Sequence, residues 1–313
     1  MSQGVEAAPA ADVIAFVDES GPRGYLRDLR PPSDDGVSVL CALPIPAGHV
    51  SQVREAIRPA YDLFCAAAPP GAKLHITDAF KPGNEAWARV ARRVRDDLFA
   101  YLTEAQFRVI YAARRLRIAR QTFEMNETYR QGLRDSREAR GPSNIRISGA
   151  NRPSDEQVDD QLLKDLTLLM DAFMENAGQE RADFHFDEIT DTAVDRFRAL
   201  VQELRQTGDR EHSTTFRDLT RGETFTRSAR ITTQCTSHPE LRLNVRHVGE
   251  IEKVGKIDPL IFAVDVVTNH LWRHLDALAP TASLNDVSAL ADWPLAGITF
   301  CDPRPGASML DRL

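Results

Sequence analysis

The chain has only four cysteines, Cys41, Cys65, Cys235 and Cys301, and no two of them form a CxxC pair. That spacing excludes a thiolate zinc cluster and leads us to expect reduced thiols in the cytoplasm. No apolar run approaches the roughly 20 residues needed to span a bilayer, and mean hydropathy is −0.36. The N-terminus lacks a basic stretch followed by a long apolar one, so neither a secretory signal nor a membrane partner is expected. No internal repeat or low-complexity run is visible. A basic excess is missing too: the net charge of −7 argues against a protein that coats nucleic acid. It leaves local recognition open, because affinity follows the patch rather than the total.

What the chain does have is the stuff of a globular fold. Its 313 residues, 42% hydrophobic and 27% charged, suit one large domain or two smaller ones. Residues 1–11 are small and polar and read as a loose N-terminus. Strands are expected at 13–18, 37–43, 107–113 and 183–187, with a fifth at 241–248 and weak strand character at 229–234. Helices are expected at 48–66, 85–102, 124–137, 154–177 and 192–206, and another opens at Pro259 behind Asp258 as its cap. Ser154 and Gln157 have the spacing of a capping box. Strands interleaved with helices predict an α/β sheet. One domain is expected over 12–280, with an insertion at about 114–153, and an irregular tail over 281–313 anchored by Trp293 and Phe300.

Three acidic positions stand at the ends of apolar strands or inside an apolar helix. Asp18 and Glu19 close the strand Val13-Ile14-Ala15-Phe16-Val17, and Asp187 and Glu188 close Ala182-Asp183-Phe184-His185-Phe186. Asp265 sits in Ile261-Phe262-Ala263-Val264-Asp265-Val266-Val267, a helical segment apolar on nearly every side. A buried carboxylate needs a partner. Magnesium or manganese shared between such carboxylates is one, since hard cations take oxygen ligands and serve phosphoryl transfer. The alternatives are structural: Asp18 as a turn residue beside Ser20 and Gly21, Asp187 as a helix cap, Asp265 paired with an arginine or with backbone amides.

A second constellation is basic. From Arg108 to Arg152 the basic residues are all arginine, including Arg114, Arg115 and Arg117, and acids are few. Arginine suits bidentate phosphate contacts, so this insert is a candidate nucleic-acid surface, or else a solvated helix. Lys253 and Lys256, ahead of the last helix, could meet a phosphate. His185 shares a strand face with Asp187 and could orient it, and Asp78 is ambiguous.

The Val-Asp-Glu-Ser-Gly strand end, the segment Lys73-Leu74-His75-Ile76-Thr77-Asp78, the strand Phe184-His185-Phe186-Asp187-Glu188 and the helix from Asp258 to Asp265 resemble domain-of-unknown-function family 3800. The resemblance touches both ends of residues 13–275. It implies a ribonuclease H-like mixed five-stranded sheet flanked by helices, here with a helical arginine-rich insertion. It also implies a metal-dependent nuclease with Mg2+ or Mn2+ held by Asp18, Asp187 and Asp265, with His75 at the edge of the site. A mobile-element or phage-defence setting in bacteria goes with it. The fold's usual glutamate on its first helix has no single match: Glu156, Asp159, Asp160 and Asp165 all lie on the helix at 154–177, and Glu19 or Glu188 could substitute. Strand alternation turns Glu19 away from Asp18. Two other readings stand beside the nuclease: a non-catalytic ribonuclease H-like interaction module with a protein or nucleic-acid partner or a second copy of itself, and a hydrolase of small phosphorylated metabolites.

Overall fold

The computed structural model describes residues 11–24, 36–139, 145–147, 157–187, 189–206, 209–218, 221–232, 244–255 and 258–301. Its centre is a mixed six-stranded sheet. The strands β1 (Val13–Ser20), β2 (Val37–Pro46) and β3 (Val109–Arg115) form an antiparallel meander. The strand β5 (Ala182–Phe186) lies parallel to the other edge of β1, and β8 (Val248–Lys253) lies parallel to β5. A two-residue strand, β9 (Thr299–Phe300), adds to β3, giving the order β8-β5-β1-β2-β3-β9. β4 (Ile145–Ile147), β6 (Asp209–Asp218) and β7 (Thr224–Thr232) make a separate three-stranded antiparallel sheet.

Alternation along the central strands divides the core. Phe16, Val39, Cys41, Leu43 and Tyr111 face the layer of α1 (Val50–Ala66), α3 (Glu85–Glu104) and α7 (Pro259–Asp276). Ala15, Val17, Leu40, Ala42, Ile110 and Ala112 face α5 (Val158–Ala177) and α6 (Asp191–Gln206). A strand buried on both faces has to be apolar throughout, which is why β2 reads as a continuous apolar run. The remaining helices are the single turn α2 (Ile76–Ala79) and the long α4 (Leu116–Ala139), so helix in the insert begins earlier than the 124–137 expected.

Two strand expectations are corrected. The fifth strand of the sheet is Val248–Lys253, not 241–248. It is an edge strand in which only Val248 and Ile251 are buried, so its sequence is mostly polar and the apolar residues just upstream drew the prediction. The polar, threonine-rich stretch after α6 forms the hairpin β6–β7, although only weak strand character over 229–234 was expected. α5 starts at Val158, where the backbone N–H of Gln157 donates to Asp160 Oδ2 at 2.9 Å; the predicted cap Ser154 lies outside the described residues. The tail is anchored as expected. Trp293 is buried, its indole N–H donating to His270 Nδ1 at 3.2 Å, and Phe300 meets Phe173 edge to face. Among the described residues no helix is long and apolar enough to cross a membrane.

Candidate functional site: a carboxylate cleft at the end of the first strand

β1 and β5 run parallel with Val17 opposite Phe186, so their carboxyl ends finish side by side. Ligand clefts of open α/β sheets lie beyond such ends. A cleft of about 750 Å³ is found there, lined by five carboxylates: Asp18, Glu19, Asp159, Asp187 and Asp265. The three predicted acids therefore line one cleft. Glu19 joins them although alternation sends it to the other face of the sheet, because the cleft wraps around the strand end and takes side chains from both faces.

The α7 side of the cleft is built around Asp265. Asp258 caps α7, accepting the Leu260 N–H at 2.9 Å with Pro259 in the first turn, and Arg54 holds Asp258 at 2.8 Å. Two turns on, Asp265 Oδ2 accepts the backbone N–H of Ile76 at 2.9 Å, which pins the segment preceding α2 against α7. That contact places His75 Nδ1 at 3.9 Å from the same oxygen, at the rim of the cleft. Burial, aggravated by the charges of Asp187, Glu19 and Asp78, pushes the Asp265 carboxyl up to about 7 against the pull of the Ile76 amide. Asp18, only 8% exposed, is also raised well above the carboxylate range, by burial first and then by Asp265 and Glu19. Two acids thus sit in one buried space with too little positive charge to ionise both comfortably.

The turn after Asp18 explains the Ser-Gly ending. Gly21 has φ +101°, and a Cβ there would collide with the Val37 carbonyl oxygen and crowd the Trp272 indole nitrogen. The Trp272 Nε1–H donates to that same carbonyl at 2.8 Å. Trp272 follows Asp265 by seven residues on α7, two turns on and almost the same helix face.

On the opposite wall the structure chooses among the acids of α5. Asp160 accepts from Arg196 at 2.6 Å and from the Gln157 N–H; Asp165 accepts from Arg114 at 2.7 Å; Asp171 accepts the Arg246 and His247 N–H groups at 2.7 Å each. Asp159 is the one that lines the cleft, its pKa raised by burial while Arg23 and Arg196 pull it back. Glu156 and Glu188 lie outside the described residues. Arg23 pairs with Glu19, whose carboxyl burial nevertheless raises, and the Gly24 carbonyl next to Arg23 accepts the Val158 N–H at 3.1 Å. The arginines that border the site are therefore Arg23 and Arg196, neither of them from the arginine-rich insert.

Several expected residues stand elsewhere. Arg114 and Arg115 are buried at the end of β3, Arg114 in its pair with Asp165 and Arg115 donating to the Ala279 carbonyl at 2.7 Å. Arg114 is covered by α5 and Arg115 by the segment that follows α7, which removes both from any substrate surface. Arg117 is exposed at the start of α4 and does not line the cleft. His185 pairs with Glu252 at 3.4 Å and stacks edge-on against Phe16, and burial lowers its pKa; it does not orient Asp187. Lys253 faces Asp191 at 3.4 Å, Asp78 pairs with Lys81, and Lys256 lies outside the described residues.

An all-oxygen donor set with surplus negative charge suits Mg2+ or Mn2+. Among the described residues no three His, Cys, Asp or Glu side chains already converge on one point. Magnesium sites of phosphoryl-transfer enzymes commonly use one or two carboxylates, with waters and substrate oxygens supplying the rest, and the pair Asp18 and Asp265 fits that demand. Comparison with protein-family models, with curated proteins and with solved structures finds no match for this chain.

Proposed function

We propose that the protein is a metal-dependent phosphodiester hydrolase acting on nucleic acid. The observation that carries this reading is the buried pair Asp18 and Asp265, neither ion-paired to an arginine among the described residues, in a cleft that Arg23 and Arg196 also line. Asp18 and Asp265 would hold Mg2+ or Mn2+, with Asp187 and Asp159 at its border. When bound, such an ion supplies Lewis-acid polarisation of a phosphoryl oxygen. Arg23 and Arg196, already held by Glu19 and Asp160, are placed to grip non-bridging phosphate oxygens and orient the diester. Asp265, its carboxyl raised to about 7 without a metal, would have to give up its proton to take the ion, and His75 stands at the cleft rim 3.9 Å from Asp265 Oδ2.

Two further points support a ribonuclease H-like core. The meander β1-β2-β3 with β5 and β8 added parallel to β1 is consistent with the mixed sheet that the family resemblance implies, with the departures that α1 to α3 separate β2 from β3, the hairpin β6–β7 precedes β8, and β9 makes the sheet six-stranded rather than five-stranded. Asp18 at the end of β1, Asp187 just after β5 and Asp265 on α7, the three acids that the resemblance singles out, line the same cleft.

The test is direct. Mn2+ is titrated calorimetrically into the wild-type protein and the Asp18→Asn variant. Both are then assayed on labelled single-stranded DNA, single-stranded RNA, duplex and hybrid oligonucleotides with and without Mn2+. The expected result is Mn2+ binding with proton release near neutral pH, and Mn2+-dependent cleavage that Asp18→Asn abolishes while keeping its fold. No Mn2+ binding at millimolar concentration would point instead to a non-catalytic module. Cleavage confined to nucleotides would indicate a metabolite hydrolase.

A further inference from the structure

A second positive site lies outside the cleft, on the surface formed by α2, α3 and α7. Phe80, the residue that ends α2, has two guanidinium groups over its ring: Arg273 of α7 at 4.7 Å from the centroid and Arg92 of α3 at 5.8 Å. Neither arginine makes an ion pair among the described residues, and both are exposed. Beside them is a hollow of about 410 Å³ lined by Phe80, Lys81, Arg89 and Arg92, with Glu85 as the carboxylate of the lining, its Oε1 accepting the Gly83 N–H. Around them the charges are mixed: Lys81 pairs with Asp78 and Arg95 with Asp96 at 2.6 Å, and Arg95, His274 and Arg273 reinforce the burial that lowers the pKa of His270 to about 4 against the pull of Asp96. Two like charges held on one aromatic ring without a counter-ion form a site that an anion would complete.

The patch is also aligned with the cleft. Arg273 follows Asp265 by eight residues on α7, about 12 Å along the helix axis. A duplex strand advances roughly 3.4 Å per nucleotide, so that offset spans about three to four nucleotides. The α2 turn bridges the two places, with His75 at the cleft rim and Phe80 at the patch.

We infer that Arg92 and Arg273, fixed by Phe80, bind the phosphodiester backbone of a nucleic-acid substrate a few nucleotides from the bond held in the carboxylate cleft. This rests on reading the cleft as a phosphodiester site. It predicts that long substrates gain affinity from the patch whereas a minimal diester does not.

The experiment compares wild type, Arg92→Gln/Arg273→Gln and Asp18→Asn. Fluorescence anisotropy with 20-nucleotide single-stranded DNA and RNA is measured in EDTA over a range of salt. Mn2+-dependent hydrolysis of bis(p-nitrophenyl) phosphate is measured alongside. The double arginine variant is expected to bind the oligonucleotides about tenfold more weakly and to reduce the salt slope by about 1.4, the value for two single-strand phosphate contacts. Its hydrolysis of the small diester should match wild type. Unchanged affinity and slope would overturn the inference, as would patch-dependent binding of an oligoglutamate peptide as tight as that of the oligonucleotides, or no oligonucleotide binding by wild type. Patch-dependent binding with no hydrolysis by any protein would support the inference and refute the catalytic reading. Unchanged binding with hydrolysis lost only in Asp18→Asn would do the reverse.

Discussion

The two faces of the central sheet treat buried carboxylates in opposite ways. On the α5 face most acids are matched, Asp165 with Arg114, Asp160 with Arg196 and Glu19 with Arg23, although burial still raises the pKa of Glu19 and of its cleft neighbour Asp159. On the α7 face, Asp18 and Asp265 share a buried space with no arginine ion-paired to either among the described residues, and both have raised pKa values. Burial alone therefore does not mark a functional acid. A buried acid matched by a guanidinium away from the cleft, such as Asp165, belongs to the scaffold, and a cleft acid that no guanidinium pairs is a candidate for an external cation.

The largest effect expected from breaking this contrast is on the matched side. Asp165→Ala leaves Arg114 charged and buried, and should lower unfolding free energy by about 3–5 kcal/mol. Urea denaturation measures it, and Arg114→Met/Asp165→Leu should recover most of the loss. A single-variant loss below about 1 kcal/mol would erase the distinction between the two faces.

On the unmatched side the sign reverses. Asp265 has its carboxyl raised from 3.8 to about 7, so the folded state binds a proton more tightly than the unfolded one. The stability it contributes is present in full below the unfolded value and is lost as pH rises to about 7. Asp265→Asn, which keeps an acceptor for the Ile76 N–H, should match wild type near pH 4 and be the more stable protein by at least about 1 kcal/mol above pH 7. Thermal melts across that range without metal check this, and a constant difference at all pH values would count against it.

The smallest effect separates cleft arginines from insert arginines. Arg117→Gln should leave stability within about 0.5 kcal/mol of wild type and cleavage unaltered. Arg196→Gln should slow cleavage, because it loosens both the phosphate grip and Asp160. Equal losses of cleavage in the two variants would return the arginine-rich insert to the site.

Much of this was legible in the chain because its signals were local. A five-residue apolar run ending in Asp18, a strictly alternating strand ending at Asp187 and a lone Asp265 in an apolar helix each announce a burial problem, and the fold brings the three to one cleft. Asp159 was visible only as one of several acids on α5, and sorting them requires knowing that Arg196, Arg114 and the 246–247 amides claim the others. Arg114 and Arg115 misled because arginine in a basic stretch reads as surface, whereas both are buried at the end of β3, one against α5 and the other against the segment after α7. The polar strand β6 escaped, β7 was caught only as weak strand character over 229–234 and β8 was placed too early at 241–248, because hairpin and edge strands need little apolar periodicity.

Gly21 carries no functional group, yet the gap between the two key acids is gauged through it. Asp18 reaches α7 across a junction where Gly21, the Val37 carbonyl and the Trp272 indole are packed with no room for one more carbon. Any side chain at position 21 would have to wedge the strand away from the helix that bears Asp265. A change there would act on the acids from a distance, and under the proposed activity a screen that ranks positions by lost cleavage would score this glycine beside the aspartates although it touches no substrate.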